Sequence, residues 1–305
     1  MKKNLIVINP CSGKKKANKY LTDIVEIFTN EGYISTVLTT TKSGDAIEYA
    51  RNYAGEYDLV TAIGGDGTFN EVAAGILEGG HNVPLGYIAS GSCNDFANSL
   101  NLPMGILAAA RNIVEGKPKN LDLGSFNGRK FSYVASFGAF TQTSYSTPQN
   151  IKNALGHLAY ILEGATTIAS IRPIHMKIEA DGEVYEDDYL FGAISNSTSL
   201  AGILTINPEY VDMNDGLFEM LLVKAPKNIL DLPEIIHMLT MQDYNTNTLE
   251  FIKAKEFKIT TDGETPWSLD GEYQEPCEEI VIETLHDAVE IMMKPAKKTK
   301  IITSY

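Results

Sequence analysis

From Lys2 to about Val114, short apolar runs rich in β-branched residues alternate with stretches whose apolar residues recur every three or four positions. That alternation narrows the fold more than any other feature of the chain. Leu5–Ile8 reads as a buried strand, and Ala17, Leu21, Ile24, Val25 and Phe28 share one face of a helix behind it. Ile34–Leu38 is a second strand, with a helix from about Asp45 to Ala54. Leu59–Ile63 is a third, followed by Phe69, Val72, Ala73, Ile76 and Leu77 at helical spacing. Leu85–Ile88 is a fourth, ahead of a helix carrying Ile106, Leu107, Ala110, Ile113 and Val114 that Pro103 is placed to begin. Strands that alternate with helices form a parallel sheet covered on both faces. Ligands of such sheets sit at the carboxyl ends of the strands.

After Leu121 the pattern changes to an antiparallel one. Asn127-Gly128 separates Asp122–Phe126 from Lys130–Ser136, and Asp181-Gly182 separates the alternating Ile174, Met176, Ile178 and Ala180 from Tyr185–Ile194. Both dipeptides favour tight hairpin turns. Further strands are expected at Leu217–Val223, Glu256–Thr261, Glu279–Thr284 and Ala288–Met292, and helices at Ile151–Ile168 and Asn228–Met241. The expectation is an α/β domain over residues 1–124 and a β-sandwich over 125–305, with the tail 294–305 free to return to the first domain.

Length and charge bound the function. A chain of 305 residues has enough apolar surface for two cores. Residues 1–124 carry 11 basic and 13 acidic side chains, and residues 125–305 carry 14 and 26, so the net charges are −2 and −12. Neither half has the basic excess of a nucleic-acid partner. No apolar run approaches the roughly 18 residues of a membrane span, and the N-terminus lacks the apolar stretch of a signal peptide. Cys11, Cys93 and Cys277 are an odd set at no metal-ligand spacing, which fits a reducing cytoplasm.

The sharpest motif is Gly64-Gly65-Asp66-Gly67-Thr68, between the third strand and its helix. Glycines let the backbone turn and present N–H groups to an anion, and the helix adds the positive end of its dipole. A tight turn without a ligand is the alternative reading. Asn70 stands where a dinucleotide fingerprint would have its third glycine, and no Walker-type G-x-x-x-x-G-K-[ST] occurs. Asn9-Pro10-Cys11-Ser12-Gly13-Lys14 follows the first strand and Gly91-Ser92-Cys93-Asn94-Asp95 the fourth, so three small, polar loops share one sheet edge. That edge is expected to bind a nucleotide. Lys14 is placed to meet a phosphate, the alternative being a solvated helix start at Lys14–Lys16.

Together with Asp215-Gly216 and Asp270-Gly271-Glu272, these motifs occur in the order of the bacterial diacylglycerol kinase-like lipid kinases, relatives of sphingosine and ceramide kinases, which the chain resembles over nearly its whole length. The resemblance implies an NAD kinase-like N-terminal domain, a C-terminal β-sandwich, and ATP with Mg²⁺ as the phosphoryl source. Carried over, the nucleotide contacts are Asn9, Pro10, Cys11, Ser12, Gly13, Thr40, Gly64, Gly65, Asp66, Gly67, Thr68, Phe69, Asn70 and Ser92, with Lys14, Asp66 and Asp95 near phosphate or metal. Thr40 is chosen over Thr39 and Thr41 by its distance to Gly44-Asp45-Ala46. Asp215 would bind Mg²⁺ with Asp212 and the backbone carbonyl of Leu217, while Glu272 would be the general base and Asp66 a second catalytic carboxylate. Cys93 stands where the family usually has a small residue such as glycine or alanine, and Ala201-Gly202-Ile203 where a more glycine-rich stretch is common; the second departure leaves the lipid's identity open.

A kinase for diacylglycerol would meet its substrate by transient, peripheral contact at the inner membrane face, with Lys294, Lys297, Lys298 and Lys300 as a basic tail that either touches lipid or stays solvated. Oligomeric state is left open, a homodimer included. His81, His157, His175, His237 and His286 are scattered without ligand spacing and read as structural. Trp267 reads equally as acceptor-pocket wall or core. Two rivals remain: an NAD kinase, whose T-G-S-T-A-Y-like segment is absent here, and a silent binding protein, against which the carboxylates Asp66, Asp215 and Glu272 speak.

Overall fold

The computed structural model describes residues 1–15, 17–138, 173–200, 204–228, 231–244 and 246–295. Two compact units emerge, Met1–Asn120 with Val289–Tyr305, and Leu121–Ala288.

The first unit is built from β1 (Lys2–Ile8), α1 (Leu21–Asn30), β2 (Tyr33–Thr39), α2 (Asp45–Tyr53), β3 (Leu59–Gly64), α3 (Asp66–Glu78), β4 (Leu85–Ala89), α4 (Asp95–Ser99) and α5 (Ile106–Val114). Its strands run parallel in the order β2-β1-β3-β4, with Leu5 opposite Thr36 and Ala62 opposite Tyr87. Ile6, Ile8, Ile63 and Ile88 point to one face and cluster with Ile24 and Phe28 of α1 and Ala109, Ala110 and Ile113 of α5. Tyr87 points the other way and meets Phe69 of α3, ring centroids 4.9 Å apart. Helices thus cover both faces, as the alternating pattern requires. α5 begins at Ile106 behind an extended Gly105, not at Pro103. The short α4, absent from the periodic reading, follows Asn94 in a left-handed conformation.

The second unit begins within β5 (Lys117–Phe126) and continues through β6 (Arg129–Phe131), β7 (Val134–Gly138), β8 (Ile174–Ala180), β9 (Glu183–Ser195), β10 (Ser199–Leu200), β11 (Leu204–Thr205), β12 (Phe218–Lys224), α6 (Asp231–Met241), β13 (Leu249–Ala254), β14 (Glu256–Thr260), β15 (Trp267–Leu269), β16 (Glu272–Gln274) and most of β17 (Glu279–Met293). β9 belongs to two layers. Its first half pairs β8, and its second half pairs β7 and β12, all antiparallel. One layer therefore reads β16-β15-β7-β9-β12-β13, and the other joins β9 through β8 and β14 to β17. Between them Phe137, Ile194, Met220, Leu222 and Trp267 pack against Met176, Ile178, Phe257, Ile259 and Ile282, the core of an antiparallel sandwich.

Both expected hairpins form with two-residue turns, Phe126 opposite Arg129 and Ala180 opposite Glu183, and all four turn residues have positive φ. Two strand expectations are corrected. Lys130–Ser136 is not one strand, because the chain breaks at Ser132 and Tyr133. Glu279–Thr284 and Ala288–Met292 are one strand, β17, which passes through Asp287 at φ +51°. The expected helix over residues 151–168, His157, Ala201-Gly202-Ile203 and the tail lysines Lys297, Lys298 and Lys300 lie outside the described residues. Among the described residues no helix is long and apolar enough to cross a membrane.

Candidate active site

At the carboxyl edge of the parallel sheet the loops after β1, β3 and β4 interlock. Asn9 N donates to Ile63 O at 2.9 Å and Ser90 N to Gly64 O at 2.7 Å, so each loop leaves its strand still in register. The hydroxyls of Ser12 and Ser90 lie 2.8 Å apart, and Asn9 Nδ2 donates to Thr68 Oγ1 at 3.4 Å. Two glycines make this closeness possible. Gly13 has φ +48°, and a Cβ there would overlap the Ser90 carbonyl oxygen; a Cβ on Gly91 would lie 2.6 Å from Gly65 Cα. Thr40 joins the same edge, its N–H donating to Ile8 O at 2.9 Å. The loop after β2 is folded by Asp45, which accepts from Thr41 N, Thr41 Oγ1 and Lys42 N; the Thr41 bonds hold its carboxyl below the usual range.

Asp66 is the first residue of α3 and nearly buried. Its Oδ1 accepts from Tyr87 Oη at 3.0 Å and its Oδ2 from Asp95 N at 2.9 Å, so one carboxylate ties the glycine turn to β4 and α4. Burial and the Asp66 charge push the Tyr87 phenol well above its ordinary value, which keeps it a hydrogen-bond donor. Burial also raises the Asp95 carboxyl. The Cys93 thiol is pushed up by burial and by Asp95 and Asp66, so it is a poor thiolate, and Cys11 and Cys93 are both free. Of the sequence-derived set, Asn9, Ser12, Gly13, Thr40, Gly64, Gly65, Asp66, Thr68 and Asp95 are drawn together by these contacts. The Lys14 side chain lies outside the described residues.

The remaining candidates lie in the second unit. In the turn Asp212–Leu217, Asp212 Oδ1 accepts from Asn214 N at 3.1 Å and Asp215 Oδ1 from Leu217 N at 3.0 Å, which leaves the second oxygen of each exposed carboxylate without a hydrogen bond among the described residues. The turn is held from beneath by Asp122, a fully buried residue: Oδ2 accepts from Gly216 N at 2.7 Å, and Oδ1 from Asp287 N and His286 Nδ1. Asp122, His286 and Asp287 bring three potential ligand atoms within 4.8 Å of one another, but both Asp122 oxygens are already committed to these bonds. Asn196 Nδ2 donates to Asp122 O at 2.8 Å and Met213 O at 3.3 Å, while Asn196 N donates to Tyr133 O.

Tyr133 leads to Glu272. Leu269 and Glu272 pair across a two-residue turn, Asp270-Gly271, with φ +51° and +86°. Asp270 accepts backbone N–H groups from Ser132 at 2.5 Å and from Tyr133 and Val134 at 3.0 Å. Those bonds cause the break between β6 and β7. Burial pushes the Asp270 carboxyl up to about 6 against three donors that favour its ionised form. Glu272 is exposed, and its Oε2 accepts from Arg129 Nη2 at 2.8 Å. Trp267 is wholly buried in the sandwich core, against Phe126 and Phe137. Tyr87, Asp122, Arg129 and Asn196, which the sequence did not single out, hold the candidate residues or their turns in place. Only Asp122, an acid set between Leu121 and Leu123, left a signal there.

A family model described as the diacylglycerol kinase catalytic domain matches residues 3–126, and the YegS C-terminal NAD kinase beta sandwich-like domain matches residues 135–293. The diacylglycerol kinase of Bacillus subtilis (strain 168) is 34% identical over 279 residues, 90% of each chain. That of Staphylococcus saprophyticus is 33% identical over 277 residues, 89% of each. A crystal structure of a diacylglycerol kinase from Bacillus anthracis str. Sterne superposes with TM-score 0.75 at 26% identity, over 96% of this chain and 97% of that one. A second structure from that organism gives TM-score 0.80 at 27% identity, over 96% and 98%. With interlocked phosphate-type loops, an oriented Asp66 and both halves of the chain matched, the protein belongs to the diacylglycerol kinase family of lipid kinases, which transfer a phosphoryl group from ATP to a lipid alcohol.

Proposed function

We propose that this lipid kinase phosphorylates the free hydroxyl of diacylglycerol, yielding phosphatidic acid and ADP. The names and extent of the matched relatives support that acceptor. The observation that carries the reading is the approach of Gly65 to Gly91 beside Asp66, because a backbone stripped of side chains at a helix start suits a phosphate chain. ATP would lie along Asn9–Gly13, Thr40, Gly64–Asn70 and Ser92, with Lys14, Asp66 and Asp95 at its phosphates.

Mg²⁺ would be held by Asp212, Asp215 and the Leu217 carbonyl, an all-oxygen set of the kind hard cations prefer. Two further oxygens support the fit, since Asn196 Oδ1 and Asn214 Oδ1 are buried atoms without a hydrogen-bond partner. When bound, the ion supplies neutralising charge for phosphoryl transfer. Glu272 takes the acceptor's proton, the O–H electron pair forms the bond to the γ-phosphorus, and the bond to the β,γ-bridging oxygen breaks to release ADP. The enzyme works from the cytoplasm and touches the inner membrane face transiently to reach its lipid.

The test is a labelled-ATP assay with diacylglycerol, sphingosine, ceramide and NAD as separate acceptors. Label should enter diacylglycerol, and Glu272→Gln should lower kcat by about 10²- to 10⁴-fold with the KM for ATP nearly unchanged. Label in another acceptor alone would overturn the substrate, and a glutamine variant within a few-fold of wild type would overturn the base.

A further inference from the structure

Arg129 stands on β6, and among the described residues every hydrogen bond of its guanidinium goes to β16, the strand that carries Glu272. Nη2 donates to Glu272 Oε2 at 2.8 Å, while Nη1 donates to the Tyr273 carbonyl at 3.1 Å and to Gln274 Oε1 at 3.0 Å. A guanidinium that reaches three acceptors on consecutive residues fixes a position, which a single-point ammonium cannot do. The geometry also separates the two oxygens of the carboxylate: Arg129 occupies Oε2, and among the described residues Oε1 has no partner.

The same short segment grips the hairpin twice. Three residues on from Arg129, the N–H groups of Ser132, Tyr133 and Val134 hold the Asp270 carboxylate, so the turn Asp270-Gly271 and the side chain of Glu272 are anchored to one stretch of chain, 129–134. Buried Asp270 sets where the backbone goes. Exposed Arg129 sets which way the Glu272 carboxylate faces.

We infer that Arg129 is the positioning residue of the general base, holding Glu272 by one oxygen so that Oε1 is presented to the acceptor hydroxyl. The inference rests on the reading of Glu272 as the base. Arg129 does not touch the reacting atoms. Its effect is on the fraction of time the base is aimed, and a misplacement near 1 Å can lower a rate by about 10²-fold.

An ordinary surface ion pair between groups 41% and 56% exposed would contribute little to folding and nothing to turnover. Five proteins separate the two cases: wild type, Arg129→Ala, Arg129→Lys, Glu272→Gln and the Arg129→Ala, Glu272→Gln double variant, each assayed for kcat, KM for ATP and thermal midpoint. Arg129→Ala should lose about 10- to 100-fold in kcat, with KM for ATP and thermal midpoint unchanged. Arg129→Lys should recover only part of the loss, and millimolar ethylguanidinium should raise the rate of Arg129→Ala but not of Glu272→Gln. The double variant should be no slower than Glu272→Gln, because a base already removed needs no aiming.

An Arg129→Ala rate within twofold of wild type beside an impaired Glu272→Gln would overturn the positioning role while leaving the base assignment intact. Losses that multiply in the double variant would do the same. A Glu272→Gln enzyme that turns over normally would overturn both.

Discussion

Removing one oxygen atom tests how Asp66 is held. In Tyr87→Phe the ring stays, with its 4.9 Å contact to Phe69, and no cavity opens, so only the 3.0 Å bond from Tyr87 Oη to Asp66 Oδ1 is lost. Hydrogen bonds to charged groups contribute about 1.5–3 kcal/mol, and both partners here are buried, which puts the variant at the upper part of that range. Asp66 Oδ2 keeps the Asp95 N–H, so the carboxylate should remain in place but swing about that bond. Turnover should fall by about 10- to 100-fold, with a smaller change in ATP affinity. The phenol is held well above its ordinary pKa, so wild type keeps this donor through roughly pH 6 to 9 and the activity ratio should be flat across that window. The only tryptophan, Trp267, is in the other unit, so stability should be read by hydrogen exchange of the amides in α3 rather than by fluorescence. Wild-type turnover with unaltered α3 protection would refute the account of Asp66 as a carboxylate oriented from β4.

Two further substitutions probe the acidic residues themselves. Asp66→Ala should abolish turnover while far-UV circular dichroism stays that of wild type, and a folded, fully active variant would reduce the glycine loop to a structural turn. Asp215→Asn keeps the Leu217 N–H bond available to its amide oxygen but removes charge, so it should raise the Mg²⁺ concentration needed for half-maximal rate; an unchanged Mg²⁺ titration would remove the metal role.

What could be read from sequence was what is encoded locally. The period of Phe69, Val72 and Ala73, the glycines of the Gly64–Thr68 turn and the Asn127-Gly128 and Asp181-Gly182 hairpins each need only near neighbours to act, and each took its expected form. What escaped depends on partners far along the chain. The break after Phe131 is imposed by Asp270, 138 residues from Ser132, and Arg129 finds Glu272 across 143 residues. Tyr87 looks like any core aromatic until Asp66 arrives at its hydroxyl. The sequence reads β17 as two strands, but Asp122, 165 positions from Asp287, accepts its N–H where the strand passes through a positive φ. Carboxylates that bind distant backbone groups leave no periodicity, so the site's supports were harder to see than its loops.

The return of β17 to the first unit sets an order of events during synthesis. Ile291 pairs with Leu85, so β4 gains its outer neighbour only from residues at the far end of the chain. Lys294 then fastens that end to α5, through its N–H to Asn112 Oδ1 at 3.2 Å and its ammonium to Glu115. All of Leu121–Ala288 is made in between. At about 5–20 residues per second, the first unit waits on the order of ten to thirty seconds on the ribosome with one flank of its sheet uncovered. A bare strand edge is a template for pairing with other chains. A fragment cut near residue 124 would make that interval permanent, so the first unit should be prepared from the whole polypeptide rather than expressed by itself.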